Sequence, residues 1–221
     1  MHIPDGFLNE TVITGTTLVS AVFVALAAKK TNKKVLASPM IGATAAFVIA
    51  AQMVNFPVAS FVSGHIIGGV LVAILLSWRV SILVMSAVLI IQALMFQDGG
   101  VAALGANILN LGIIGPGVGY LLYRAIRYRS PGTNPNTWTA RDSTAAFVGG
   151  WTATVVAAFL ASLELWLSKQ ADLKPILTLM ISFHALIGIA EGIATLLIAK
   201  FLFYHQKQCA DYCPVYQEKY F

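Results

Sequence analysis

The feature that most constrains this chain is its series of long apolar runs. Residues 11–28, 35–53, 61–77, 79–96, 101–123, 144–166 and 176–203 are each near or above the roughly 17 residues that a helix needs to cross a hydrocarbon core. Charged residues make up only 10% of the chain and mean hydropathy is +0.79, far too apolar for a soluble globular domain. The expected fold is an all-α integral membrane protein of about seven helices, forming one domain over residues 1–203 with a tail at 204–221. The runs 61–77 and 79–96 are close-set, so their division is the least defined of the six. The first ten residues hold two acids, no Lys or Arg and no apolar stretch of signal-peptide type, so the N-terminus is expected to be kept.

Orientation follows from the basic residues. With the N-terminus outside, the inside segments hold Lys29, Lys30, Lys33, Lys34, Arg79, Arg124, Arg127, Arg129, Arg141, Lys200, Lys207 and Lys219, which is 12 of the 14 Lys and Arg. Only Lys169 and Lys174 fall in an outside loop. The positive-inside rule therefore favours an outer N-terminus and a cytoplasmic C-terminus. The net charge of +5 reflects cytoplasmic loops facing anionic lipid and calls for no nucleic-acid partner.

The chain opens Met1-His2-Ile3-Pro4-Asp5-Gly6. His2 is too large for easy removal of the initiator methionine, so the mature chain is expected to begin Met1-His2. A free amine one residue ahead of a histidine is a chelator. The amine and the His2 amide nitrogen close a five-membered ring on a metal, and that amide with the imidazole Nδ1 closes a six-membered one. Three nitrogens in one plane suit Ni(II) or Cu(II), whereas Mg(II) and Ca(II) prefer oxygen. A frayed terminus is the competing account of His2. The segment Ser63-Gly64-His65-Ile66-Ile67-Gly68-Gly69 places His65 about one turn inside the third run, near the same outer face. An imidazole at that depth needs a partner, which makes His65 the candidate fourth ligand. The competing account is a small-residue helix contact from Gly64 to Gly68, with His65 bonded to a neighbouring helix.

Other polar residues are open to two readings. Asn107 and Asn110 share one helix face and could bond the ligand histidines, bond the N-terminal segment, or join helices. Asp5 could lie beside the chelate or cap the first helix. Asp98, next to Gly99 and Gly100, reads as a turn residue more than as a cation-attracting one. His184 and Glu191 share a face of the last run and read as structural or partner-contacting rather than as a proton relay. Glu191 is the one acid expected to be clearly buried. Gly115-Pro116-Gly117 should bend the fifth helix. Gly42, Ala46 and Ala50 form a smooth stripe on which a partner helix could pack. His205, Cys209 and Cys213 could share a face that captures soft metal, although an amphiphilic end with two free thiols is the plainer account.

Taken together, Met-His-Ile-Pro-Asp-Gly at the start, Asn55-Phe56-Pro57 followed by Ser63 to Gly69, and Gln97-Asp98-Gly99-Gly100 followed by Leu104 to Asn110 resemble the nickel/cobalt-binding membrane subunits of energy-coupling factor transporters, the CbiM/NikM type. The resemblance extends from residue 1 to about residue 203. It implies a seven-helix component that binds Ni(II) or Co(II) as cargo, with Met1, His2 and His65 as ligands and Ser63, Asp5, Asn107 and Asn110 around them. It also implies a transmembrane coupling subunit, two ATP-binding cassette ATPases and a small accessory membrane subunit as partners in a prokaryotic cell membrane. Within that picture the Gly42, Ala46 and Ala50 stripe becomes the face for the coupling subunit.

Other function classes lack their signatures. No Gly-x-x-x-x-Gly-Lys-Ser/Thr loop is present for ATP hydrolysis, no His-Glu-x-x-His zinc helix, and no motif for a tightly bound cofactor. A channel or secondary transporter acting without ATPases would call for charge rings, internal repeats or several intramembrane acids. The expected role is a transport subunit rather than an enzyme.

Overall fold

The computed structural model describes residues 1–59, 62–128 and 137–209. Helix α1 (Glu10–Lys30) is capped by Asn9, whose side chain accepts from the Val12 amide, and its last turn carries Lys29 and Lys30 where the helix dipole favours cations. A single turn, α2 (Lys33–Leu36), leads to α3 (Pro39–Gln52), which starts from a Ser38 cap with proline in its first turn. Helix α5 (Trp78–Ile91) runs on as a π-helical turn to Phe96. Helix α6 (Leu104–Asn107) passes through a π-helical stretch, Ile108–Ile114, into α7 (Gly115–Arg127) as one span. Helix α8 (Ala140–Leu167) begins with a Thr139/Asp142 capping box, and α9 (Leu173–Cys209) completes the described chain.

Five of these units are long and apolar enough to cross a membrane: Glu10–Lys30, Trp78–Phe96, Leu104–Arg127, Ala140–Leu167 and Leu173–His205, with α3 a shorter apolar helix. Leu18, Val22, Phe47, Leu121, Leu186 and Leu197 are exposed on their outer faces, as lipid-facing residues must be.

The third apolar run departs from expectation. Residues 61–77 do not form a helix. A two-stranded hairpin, β1 (Phe56–Ala59) with β2 (Val62–Gly64), is followed by irregular backbone at 65–68 and then by α4, only eight residues long (Gly69–Leu76). His65 therefore sits in irregular backbone instead of one turn inside a helix. Positive φ at Gly68 (77°) and at Ser77 (96°) bounds α4 at its two ends. Non-helical backbone inside an apolar bundle requires partners for its peptide groups. Those of the 65–68 segment come from α3 and α9, which a local reading of hydropathy could not register.

Tight glycine contacts join the later helices. A Cβ on Gly119 of α7 would meet the Gly149 carbonyl of α8, and one on Gly192 of α9 would meet Phe147. These residues let backbones approach where no lipid can intervene. Gly119→Val should therefore overpack the α7–α8 contact, at a cost of about 1–3 kcal/mol. The check is a lower melting temperature of the detergent-purified protein, with Gly42→Val, which meets open space, unchanged.

Candidate metal site

The terminal segment is inserted into the bundle. Met1, His2 and Ile3 are 1%, 3% and 0% exposed, which removes the frayed-terminus account of His2. Polar partners make this burial tolerable. The Asn107 side chain clamps Ile3, accepting from its amide at 2.8 Å and donating to its carbonyl at 3.0 Å, while the Gly100 amide donates to the same carbonyl. Asp5 accepts the amides of Val101, Ala102 and Ala103. The Met1 amine donates to Ser63 Oγ at 3.1 Å. At Gly99, φ is +96° and a Cβ would sit 3.1 Å from the His2 Cβ, so this turn needs glycine for both conformation and room.

His2 and His65 meet face to face, with ring centroids 4.5 Å apart and planes 21° from parallel. His65 is 1% exposed, and its Nδ1 lies 2.8 Å from the Ile66 carbonyl. A carbonyl only accepts, so Nδ1 carries the proton and Nε2 keeps a lone pair. That Nε2 is buried with no hydrogen-bond partner, the condition of a metal-ligating imidazole whose other nitrogen is held by backbone. His2 Nε2 is likewise buried and unpartnered, while its Nδ1 donates to Asp98 Oδ1 at 3.0 Å. Asp98 also accepts from Asn55. Chelation through Nδ1 would draw this ring off Asp98 and turn it toward its own amide nitrogen.

The electrostatics favour neutral nitrogens beside one fixed carboxylate. Burial pushes the Met1 amine well below its ordinary pKa, against the opposing charge of Asp98. Burial also lowers His2, helped by the terminal amine and opposed by the Asp98 hydrogen bond. Asp98 would be raised by its own burial, but the His2 hydrogen bond, nearby positive charge and Asn55 hold it below the usual carboxylate range. Among the described residues no three His, Cys, Asp or Glu side chains converge as a ready cage. The available donors are the amine, a backbone nitrogen and two imidazoles.

A family model described as the cobalt uptake substrate-specific transmembrane region matches residues 2–208. The chain belongs to the CbiM family. It is 36% identical over 199 residues to a protein of Haloquadratum walsbyi named for metal transport, covering 88% of this chain and 86% of that one. It is 38% identical over 197 residues to a protein of Archaeoglobus fulgidus named as a fused nickel transport protein, NikMN, covering 88% of this chain and 63% of the longer relative. A crystal structure titled as a truncated transition metal transporter superposes with a TM-score of 0.82 at 29% identity, covering 93% of this chain and 99% of the other. The protein is thus a multi-pass membrane protein of prokaryotic transport relatives.

In this CbiM-family chain Met1, His2, Ser63, His65 and Asn107 come together, and other residues anticipated from sequence lie elsewhere. Asp5 neither caps α1 nor stands beside the chelating nitrogens; it caps the 101–103 turn. Asn110 turns to α8 and donates to Glu164 at 2.7 Å. Glu164 is itself buried, so Glu191 is not the single buried acid that was expected. Glu191 accepts from the amides of Ile67 and Gly68, and His184 Nδ1 donates to the Met180 carbonyl. Asp98, read as a turn residue, is the direct partner of His2; its place just ahead of two glycines gave no sign of that. Gly42, Ala46 and Ala50 are exposed along α3. His205 is exposed and donates to the Phe201 carbonyl, whereas Cys213 and the other residues from 210 to 221 lie outside the described residues.

Because Asn107 alone satisfies both polar groups of Ile3 from the side-chain side, Asn107→Ala should loosen the terminal segment. We expect metal affinity to fall about 10–100-fold, the usual range for groups that hold ligands in place. Isothermal titration of the purified variant checks this.

Proposed function

We propose that this protein captures Ni(II) at the outer face of the cell membrane and delivers it to an ATP-driven importer as its substrate-binding subunit. The cargo is held by four nitrogens in a near-plane: the Met1 amine, the His2 amide, the His2 imidazole and His65 Nε2. The observation that carries this reading is the burial of Met1 and His2 against His65, whose Nε2 keeps a lone pair that no donor satisfies. Four nitrogens, one of them an ionised amide, favour Ni(II) over Co(II), as does the general affinity order. Co(II) is the second cargo to consider, because the matching family model is described by cobalt uptake while one relative is named for nickel.

Delivery needs energy from elsewhere, since the chain has no phosphate-binding loop. A transmembrane coupling subunit and two ATPases are the partners of this proposal, with a small accessory membrane subunit beside them. The exposed Gly42, Ala46 and Ala50 stripe is the proposed face for the coupling subunit, because a Cβ on Gly42 meets nothing within 4 Å.

One substitution and one N-terminal addition test the ligand set. His65→Ala should remove Ni(II) binding, read by titration and by loss of the planar absorption band, while the protein still purifies as a folded species; unchanged affinity rules His65 out. One residue added ahead of Met1 should abolish binding although every side chain remains, because the amine is then a residue too far from His2.

The pH dependence has a defined sign. Closing the chelate expels the His2 amide proton, so affinity should rise with pH. The Met1 amine and His2 have folded-state pKa values below their ordinary ones, so both are already neutral at a pH where an exposed peptide of the same sequence is protonated. The protein should accordingly keep its Ni(II) to lower pH than the free Met-His-Ile-Pro-Asp-Gly peptide, and the complex should be diamagnetic. Paramagnetic six-coordinate Ni(II) with pH-independent affinity would assign the metal to oxygen ligands.

A further inference from the structure

One peptide unit joins His65 to a distant buried acid. The carbonyl of Ile66 accepts the His65 Nδ1 proton at 2.8 Å, and the amide of Ile67 on the other edge of that same peptide donates to Glu191 Oε2 at 2.8 Å. The second Glu191 oxygen accepts the Gly68 amide at 2.9 Å. Gln52, at the end of α3, donates Nε2 to the Ile67 carbonyl at 2.7 Å. Glu191 and Gln52 are both 0% exposed. The irregular 66–68 segment is thus held by side chains 124 and 15 residues away along the chain.

We propose that Glu191 is a positioning residue for His65, acting through the 66–67 peptide. The line runs from carboxylate to N–H, across the peptide to its carbonyl, and on to Nδ1–H of the imidazole. It does for His65 what a carboxylate bonded directly to a ligand histidine does: it fixes the tautomer, sets the ring plane and strengthens Nε2 as a donor. Each bond polarises the next in the same direction, since an acceptor on the amide makes the carbonyl a better acceptor. The Glu191 carboxyl also grips two successive amides, so the 66–67 and 67–68 peptides are held together. Glu191 has no contact with the metal-holding nitrogens in this arrangement. Its two oxygens are engaged by backbone amides. Gln52 holds the next peptide but is not on the line to Nδ1, so its influence on His65 is limited to keeping the segment in place.

This inference rests on the metal-site reading above, and the experiment separates the two. Wild type, Glu191→Gln, Glu191→Asp, His65→Ala and Glu164→Gln are purified in detergent and titrated with Ni(II), with the visible absorption band and the metal-free melting temperature recorded for each. Glu191→Gln is isosteric but neutral, with one acceptor oxygen. Glu191→Asp keeps the charge but is one carbon shorter. Both should bind Ni(II) about 10–100-fold more weakly, with a shifted absorption band, because a ligand has been reoriented as well as weakened. Glu164→Gln removes another buried acid, one bonded to Asn110 rather than to the ligand segment, and should stay within about threefold of wild type with an unshifted band. Wild-type affinity and spectrum in a folded Glu191→Gln or Glu191→Asp, alongside loss of binding in His65→Ala, would overturn the role of Glu191 alone. Retention of binding in His65→Ala would instead overturn the metal-site reading beneath it. Equal weakening in Glu164→Gln would show a general effect of emptying a buried acid and would also overturn the proposal.

Discussion

A peptide group that enters an apolar bundle without helical partners must be given others, and most of what is specific in this structure answers that requirement. Residues 1–3 and residues 65–68 are irregular segments that reach the interior. Asn107 satisfies Ile3 at both its polar groups, Asp5 collects the three amides of the turn that leads to Asn107, and Glu191 with Gln52 holds the second segment. None of these side chains belongs to the segment it satisfies. The spans carry polar residues at a few buried points and otherwise face one another with small residues, as at Gly119 and Gly149.

The same requirement shapes the chemistry available. A metal site of side chains alone could sit on regular helices, but donors taken from the terminal amine and a backbone amide demand non-helical backbone at the point of binding. Burial keeps the amine and His2 neutral, Asp98 occupies the His2 proton, and Ser63 receives the amine. The donors of the proposed site are nitrogens, and a nitrogen field would favour Ni(II) and Co(II) over Mg(II) and Ca(II).

Much of this was legible in the sequence because it is local. The apolar runs corresponding to α1, α3, α5, the α6–α7 span, α8 and α9 were visible from length and hydropathy, and Met1-His2 could be picked out as a candidate chelator from covalent chemistry alone. His65 could be picked out as an imidazole in an apolar run. What remained hidden is non-local. Residues 61–77 are apolar because they are buried, not because they are helical, and the acid and amide that allow an irregular path there come from α9 and α3. Asp98 looked like a turn residue because its partner is 96 residues away. Asn107 and Asn110 share a face by spacing, yet a π-helical stretch begins between them and they part, one to Ile3 and the other to Glu164.

The insertion of the first residues has a consequence for the order of assembly. Met1 emerges first in synthesis, but its hydroxyl partner is 62 residues away, the clamp on Ile3 is 104 residues away, and Asn9 docks on Ser168 after a separation of 159. The segment that carries His65 waits for Glu191, 124 residues later. The contacts that hold residues 1–9 therefore become complete only when the chain has been made as far as Ser168. Until α9 is in position the two histidines have no fixed relation to each other, so a half-made chain has no assembled pocket with which to take metal from its surroundings.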